Sequence, residues 1–390
     1  MANRTYAEQY LDAIQLGLVG LHQELPEISA AATEAARRAC ADARVWVMSD
    51  EVGFVSELQH RAGGLMMLRG LPGEHLTLDD SVSENDAVVA STQALHSDRQ
   101  AALLDGLRER GVAVTLIGSA DDPLRGQAGS FIDNGLSPGT GAVIDHGGRM
   151  ICPAASAINV AAGWTWCVEL ANACAALGRA PVFLMSGALA SGFDRNQQHE
   201  GKPFHNEGEY QLLPAPAGQK GGEYLAELQR CFTSIRATEL GRLDEIGAVA
   251  AATREAGHTV WCASIGHNMG GQRDLEGDPG FYQVVFPEAN EVPPMAAGDF
   301  YIYNGYYFFP EEELRAARAM VSRSAWVMGG REIETIYPHD GEIFVNAYWR
   351  YGDTSLHLPG YDVRVVPPSG VIATAMLWLL HAAAADHIAP

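Results

Sequence analysis

DAVVASTQALHSDRQAALLDGLRERGVAVTLIGS, Asp86 to Ser119, reads as a strand, a polar loop, an amphipathic helix and a second strand. Ala87 to Ala90 are apolar throughout, as in a parallel strand buried on both faces, and Leu103, Leu104 and Leu107 recur at helical spacing. In α/β units of this kind the ligand sits beyond the carboxyl end of the strand. Here that place is the loop Ser91 to Ser97, rich in hydroxyls and carrying His96.

The same order returns 213 residues later (299 minus 86), where Asp299 opens DFYIYNGYYFFPEEELRAARAMVSRSAWVMGG. Upstream, LPEISAAATEAARRACADARVWVMS is echoed by LDEIGAVAAATREAGHTVWCAS, with Trp46 matching Trp261 at an offset of 215 (261 minus 46). Downstream, Pro153 to Ser156 and the apolar helix behind it are echoed by Pro367 to Ser369 and VIATAMLWLLHAAAA. Three blocks in one order at a nearly constant offset predict an internal duplication. Each half then begins with a helical hairpin, continues through alternating strands and helices, and closes on an apolar helix. That alternation implies parallel sheets with right-handed crossovers and helices on both faces. The Pro, Gly and polar residues of QQHEGKPFHNEGEYQLLPAPAGQKGG mark the junction. The expected organisation is a first domain over 1–205, a linker over 206–220 and a second domain over 221–390.

A chain of 390 residues exceeds one ordinary hydrophobic core, in keeping with two domains. Its formal charge of -22, without clustered Lys or Arg, argues against a nucleic-acid partner. No apolar run reaches the roughly 20 residues of a membrane span, and MANRTYAEQY lacks the apolar core of a signal peptide. A cytoplasmic protein with no membrane partner is therefore expected. The six cysteines form no close CxxC pair and read as free, mostly buried thiols.

HRAGGL at His60 to Leu65, the unit at Asp86, FIDNG at Phe131 to Gly135, PAAS at Pro153 to Ser156 and PVFLMSGALASGFDRN at Pro181 to Asn196 resemble the sugar isomerase (SIS) domain family. The likeness spans most of residues 40 to 196, and the second half is similar at the level of repeat architecture. It implies two three-layer α/β/α domains with parallel sheets. The implied ligand is a sugar or sugar phosphate, bound near the interface of paired domains. In the family, two Gly- and Ser-rich loops cradle phosphate with backbone amides and hydroxyls. This chain departs at both. MSDEVGFVSE puts Asp50 and Glu51 where phosphate would lie, and STQALHSD keeps Ser91, Thr92 and Ser97 but loses the glycine. A neutral or weakly anionic carbohydrate is the ligand these changes suit.

Aldose-ketose isomerisation needs a base beside the carbonyl and donors for the oxyanion. The Glu that family isomerases carry just before the PAAS segment is missing from MICPAASAIN and from VVPPSGVIAT. Glu57, behind the first loop, and His267, in the strand-end segment IGHNMGG, are the candidate catalytic groups. Candidate substrate-binding groups at strand ends and helix starts are Asp50, Ser91, Thr92, His96, Ser97, Ser156, Ser264, Asn268, Asn304 and Ser369. Glu169, in an apolar helix, needs a partner if buried, and His381 reads as a core histidine. Arg350, Asp353 and His357, among Trp349 and Tyr351, are arranged either to line a sugar pocket or to pack between domains. No cofactor is expected, apart from a divalent-metal option at His199, His205 and Glu207. The activities consistent with these residues are a sugar isomerase, a SIS-type lyase or etherase, and a non-catalytic sugar sensor. A homodimer is the expected assembly.

Overall fold

The computed structural model describes residues 4–50, 53–59, 61–71, 78, 81–93, 98–137, 141–187, 189–264, 279–285, 293–305, 319–320, 323–329, 341–350 and 352–388. Thr5 starts the first helix with a capping box, its Oγ1 accepting from Glu8 N while the Glu8 carboxylate accepts from Thr5 N. That helix, α1 (Tyr6–Gln23), makes a hairpin with α2 (Leu25–Cys40). The apolar run VWVMS then forms β1 (Val45–Ser49), followed by α3 (Phe54–Leu58), β2 (Leu68–Gly70), β3 (Ala87–Ser91), α4 (Asp98–Glu109), β4 (Ala113–Gly118) and β5 (Ser130–Asp133). These strands make a fully parallel sheet in the order β2-β1-β3-β4-β5. Leu103, Leu104 and Leu107 of α4 pack with Trp46, Met48 and Val88 on one face of it. Val45, Val47 and Val89 face the larger core with α2 and α5 (Ala155–Ala176), which completes three layers. The antiparallel pair β6 (Gly141–Ile144) and β7 (Met150–Pro153) leads into α5, and α6 (Gly192–Gln198) follows it.

The second half repeats this order. The hairpin α7 (Gln219–Thr238) and α8 (Leu240–Glu255) precedes β8 (Val260–Ser264), β9 (Gln283–Val285), β10 (Phe300–Gly305), β11 (Arg323–Met328) and β12 (Glu342–Asn346). Their parallel sheet runs β12-β11-β10-β8-β9, the first sheet's order read element for element. A short antiparallel pair, β13 (Leu356–His357) and β14 (Arg364–Val365), again precedes the closing helix α9 (Ser369–His387). By length and composition α9 could cross a membrane, but 94% of its apolar window is buried inside the protein. It is a core helix.

The repeat extends to individual bonds. Asp86 accepts from Trp46 Nε1 at 2.9 Å, Arg44 N at 2.9 Å and Ser83 N at 3.0 Å. Asp299 accepts from Trp261 Nε1 at 2.8 Å, Thr259 N at 3.0 Å and Ala296 N at 2.8 Å. Each carboxylate ties the start of one strand to its neighbour and orients a tryptophan. Before each closing helix a non-glycine residue takes positive φ, Cys152 at 59° and Val366 at 52°, a costly conformation for a β-branched residue. The carbonyl of the next residue, Pro153 or Pro367, accepts from Tyr10 OH at 3.5 Å or Tyr224 OH at 2.9 Å. Asp86→Ala and Asp299→Ala should each cost about 1–3 kcal/mol, since each removes a buried charged acceptor shared by three donors. Urea midpoints measure this, and a loss below about 0.5 kcal/mol would make the carboxylates ornamental.

The hydrophobic core runs without a break from one half into the other. The first helix of each half lies across the closing helix of the opposite half: α1 packs on α9, and α7 on α5. Tyr6 N donates to Asp386 at 2.8 Å, and the Arg236 guanidinium reaches Asp12 at 2.6 Å. Glu169, the buried carboxylate of α5, accepts from Ser29 Oγ at 2.9 Å, Gly218 N at 2.8 Å and Gly221 N at 2.7 Å, so it holds the amino end of α7. Its role is structural.

Candidate functional site

In the first half, the described hydroxyls expected to hold ligand are hydrogen-bonded to neighbouring side chains. Ser49 and Ser91, directly paired in the β1–β3 register, share a 2.7 Å hydrogen bond. Thr92 Oγ1 donates to Asp122 at 3.2 Å, Gln93 bonds Ser156 Oγ, and Asn159 Nδ2 donates to Thr92 O at 3.1 Å. Asn134 Nδ2 closes the set on Asn159 Oδ1 at 2.9 Å. Ser91, Thr92 and Ser156 are buried and Asp50 half-buried just after β1. His96, Ser97 and Glu51 lie outside the described residues, as do His267, Asn268 and Tyr351.

At the matching place in the second half, the described side chains are less completely paired. Ser264 and Asn304 are paired across β8 and β10, so their side chains leave the sheet on the same side. Asn304 Nδ2 donates to Ala373 O on α9 at 3.0 Å. Ser264 Oγ, Asn304 Oδ1 and Thr374 Oγ1, the last on the residue after Ala373 in α9, are buried without a hydrogen-bond partner among the described residues. Thr374 escaped the sequence reading because it lies inside an apolar helix, where a single hydroxyl carries no signal.

Glu57 is buried in an ionic cluster that joins the halves. Its carboxylate pairs with Arg61 and accepts from Trp164 Nε1 at 3.1 Å. Arg61 also reaches Asp353 at 3.0 Å and bonds Ser369 Oγ. Ser369 donates to Asp353 through N at 3.2 Å and Oγ at 2.7 Å. Burial is the main force raising the Glu57 carboxyl to about 7, against the pull of the Arg61 charge. A Cβ on Gly370 would run into this carboxylate, so glycine at that place lets Glu57 reach the first turn of α9. Arg61 was missed as a functional residue, although Glu57 and Arg61 stand at the i, i+4 spacing of an ion pair.

Ser369 is bonded to Arg61 and Asp353. Of the two readings of the Arg350, Asp353, His357 group, Asp353 follows the packing one, since it pairs with Arg61 of the other half; Trp349 is buried, His357 is exposed, and Arg350 turns outward to Glu227 at 3.5 Å. His381 is the core histidine expected. It packs against Tyr282 and Trp378, and burial pushes its pKa down to about 3. Near the junction, His199 and His205 do meet, with ring centroids 4.7 Å apart, and the carboxylate beside them is Glu209 rather than Glu207. An open groove of about 820 Å³ lies at the amino end of the first sheet, where Arg38 and Arg44 donate to backbone carbonyls.

No protein-family model matches the chain, and no curated protein matches it in sequence. Solved structures share its fold. A Clostridium novyi NT protein assigned as a tagatose-6-phosphate ketose/aldose isomerase aligns over 98% of this chain and 90% of its own, with a TM-score of 0.51 and 7% identity. The C-terminal domain of glucosamine-fructose-6-phosphate aminotransferase from Francisella tularensis aligns over 99% of this chain and 96% of its own, at a TM-score of 0.49 and 8% identity. At such identities the likeness concerns the path of the backbone.

Proposed function

Starting from a chain with the fold of tandem SIS domains, we propose that it binds a sugar or sugar phosphate at the carboxyl ends of β8 and β10 and isomerises it between aldose and ketose. The carrying observation is that Ser264 Oγ, Asn304 Oδ1 and Thr374 Oγ1 are buried with no partner among the described residues. Leaving such atoms unbonded costs about 1–3 kcal/mol each, and sugar hydroxyls, which donate and accept, match two hydroxyls and an amide oxygen. The first half closes its counterpart through the Ser49–Ser91 bond, so the binding site is assigned to the second half.

Glu57 supplies the base. It abuts Gly370, and Thr374 stands one helical turn further along α9, so carboxylate and binding atoms neighbour the same stretch of helix. A carboxyl that titrates near 7 is suited to take a proton from the carbon beside a carbonyl and return it to the adjacent carbon. The Arg61 charge beside it would stabilise the enediolate formed between those steps. The name of the Clostridium novyi protein accords with this reaction class. A second reading, a sugar-binding protein without turnover, draws on one observation: Glu57 is only 1% exposed and already paired.

The deciding experiment incubates the protein in deuterated water with free and phosphorylated aldoses and ketoses, following carbon-bound hydrogen by NMR. Exchange by the wild type, lowered about 10²–10⁴-fold in Glu57→Gln with binding retained, supports the isomerase. Asn304→Ala should weaken binding about tenfold. Binding without exchange assigns the protein to the second reading, and binding unaffected by Asn304→Ala removes the proposed site.

A further inference from the structure

The segment joining the halves carries a cluster that sugar chemistry does not use. His199 closes α6, and its Nδ1 is buried without a partner among the described residues. His205 is fixed by its backbone: its N donates to Ala180 O at 2.8 Å, and the neighbouring Phe204 bridges to Pro181 on the edge of the first half. Both of its ring nitrogens are buried and, among the described residues, neither has an aligned hydrogen bond. A neutral imidazole carries one donor and one acceptor, so a ring with no well-aligned hydrogen bond at either nitrogen offers a position for a ligand.

Glu209 is poised on one side of that ring. One carboxylate oxygen accepts from Asn206 N at 3.1 Å and Asn206 Nδ2 at 3.3 Å. Those bonds aim the other oxygen, Oε1, at His205 Nδ1, 3.4 Å away. One ligand atom each from His199, His205 and Glu209 lies within 4.8 Å of the other two. Bonds of about 2.0–2.2 Å to a tetrahedral zinc would set these atoms roughly 3.4 Å apart, a closure that side-chain rotation supplies. Arg195, a cation that acts on His205, is held by both oxygens of Asp362 at 3.0 and 3.1 Å, which offsets its charge.

We propose that His199, His205 and Glu209 bind one divalent transition-metal ion of the zinc class, which fastens the joining segment to both halves. Two imidazoles and one carboxylate leave a fourth position for water, on the side where Glu209 meets solvent. The site lies where the segment crosses to the second half: Tyr210 stacks on Tyr361 at 5.7 Å, and Tyr361 packs edge-on against Phe183 of the first half at 5.4 Å. Metal at this point would link the end of α6, the edge at Ala180 and the tyrosine stack.

The test uses the full chain without a histidine tag, stripped with chelator and dialysed against zinc. Elemental analysis should find one zinc per chain, and zinc should raise Tm by at least about 3 °C. Cobalt in its place should give the visible absorption of a tetrahedral or five-coordinate ion. Glu209→Gln, on an exposed side chain, should weaken retention at least tenfold, His199→Ala with His205→Ala should abolish it, and Glu207→Gln should leave it unchanged. No retained metal in the wild type overturns the proposal, as does equal retention in the double variant.

Discussion

Arg61→Leu is expected to lose about 3–5 kcal/mol of stability, because it removes the guanidinium that pairs with two buried carboxylates. Arg61 is fully buried and reaches Glu57 from its own half and Asp353 and Ser369 from the other. Without it, Glu57 and Asp353 repel each other in a medium that screens poorly, while Asp353 keeps its two bonds from Ser369. Arg61→Lys should recover part of the loss, since one ammonium does not span the directions a guanidinium fork covers. Urea unfolding measures both variants; a lowered midpoint at unchanged slope is the expected form. An Arg61→Leu protein within about 1 kcal/mol of the wild type would mean that desolvation cancels the ionic attraction and apolar packing alone holds the halves.

Glu57→Gln should change the pH dependence of stability by roughly 3 kcal/mol between pH 4.5 and pH 8. The folded carboxyl titrates at about 7 against a reference of 4.5, chiefly through burial. The sign follows from proton binding. Below pH 4.5 folded and unfolded chains are both protonated, and the contribution is fully present. As pH rises toward 7 the folded state retains a proton that the unfolded state has released, so the wild type loses stability until the folded carboxyl has titrated. A shift of about 2.5 units (7 minus 4.5) corresponds to roughly 3 kcal/mol. Glutamine is neutral throughout and lacks this slope, while other groups cancel in the difference. A wild type-to-variant gap that stays flat with pH would mean that Glu57 titrates normally, and it would remove the poised base from the proposed mechanism.

The architecture was legible because its signals are local and occur twice. Apolar strand cores and helical leucine spacing each report on a short stretch, and the nearly constant offset of Trp46 from Trp261 and Asp86 from Asp299 carries the arrangement of the sheets. The site was less legible because its determinants are long-range. Arg61 and Asp353 stand 292 positions apart, and no local pattern says that they meet. Ser369 sits where a helix start normally offers a hydroxyl to ligand, but the opposite half supplies its partner. Which of Glu207 and Glu209 faces the histidines depends on the turn that lets Asn206 hold Glu209, and spacing alone does not fix a turn. Ser264 and Asn304 were identified from their strand ends. That Ser264 Oγ and Asn304 Oδ1 find no partner among the described residues while Ser49 and Ser91 satisfy each other emerges only when both sheets are compared.

The crossing of α1 over α9 and of α7 over α5 bears on synthesis. A ribosome releases the first half long before the second, and α9 begins 214 residues behind α5 (369 minus 155). Until then, the faces of α1 and α5 that later meet α9 and α7 are bare apolar surface on a nascent chain. The first sheet can close early from its own contacts, whereas the shared core waits for translation to run almost through α9. Newly made first halves on neighbouring ribosomes therefore present one another with the surfaces meant for their own second halves, a route to entangled pairs that chaperone occupancy of α1 and α5 would suppress.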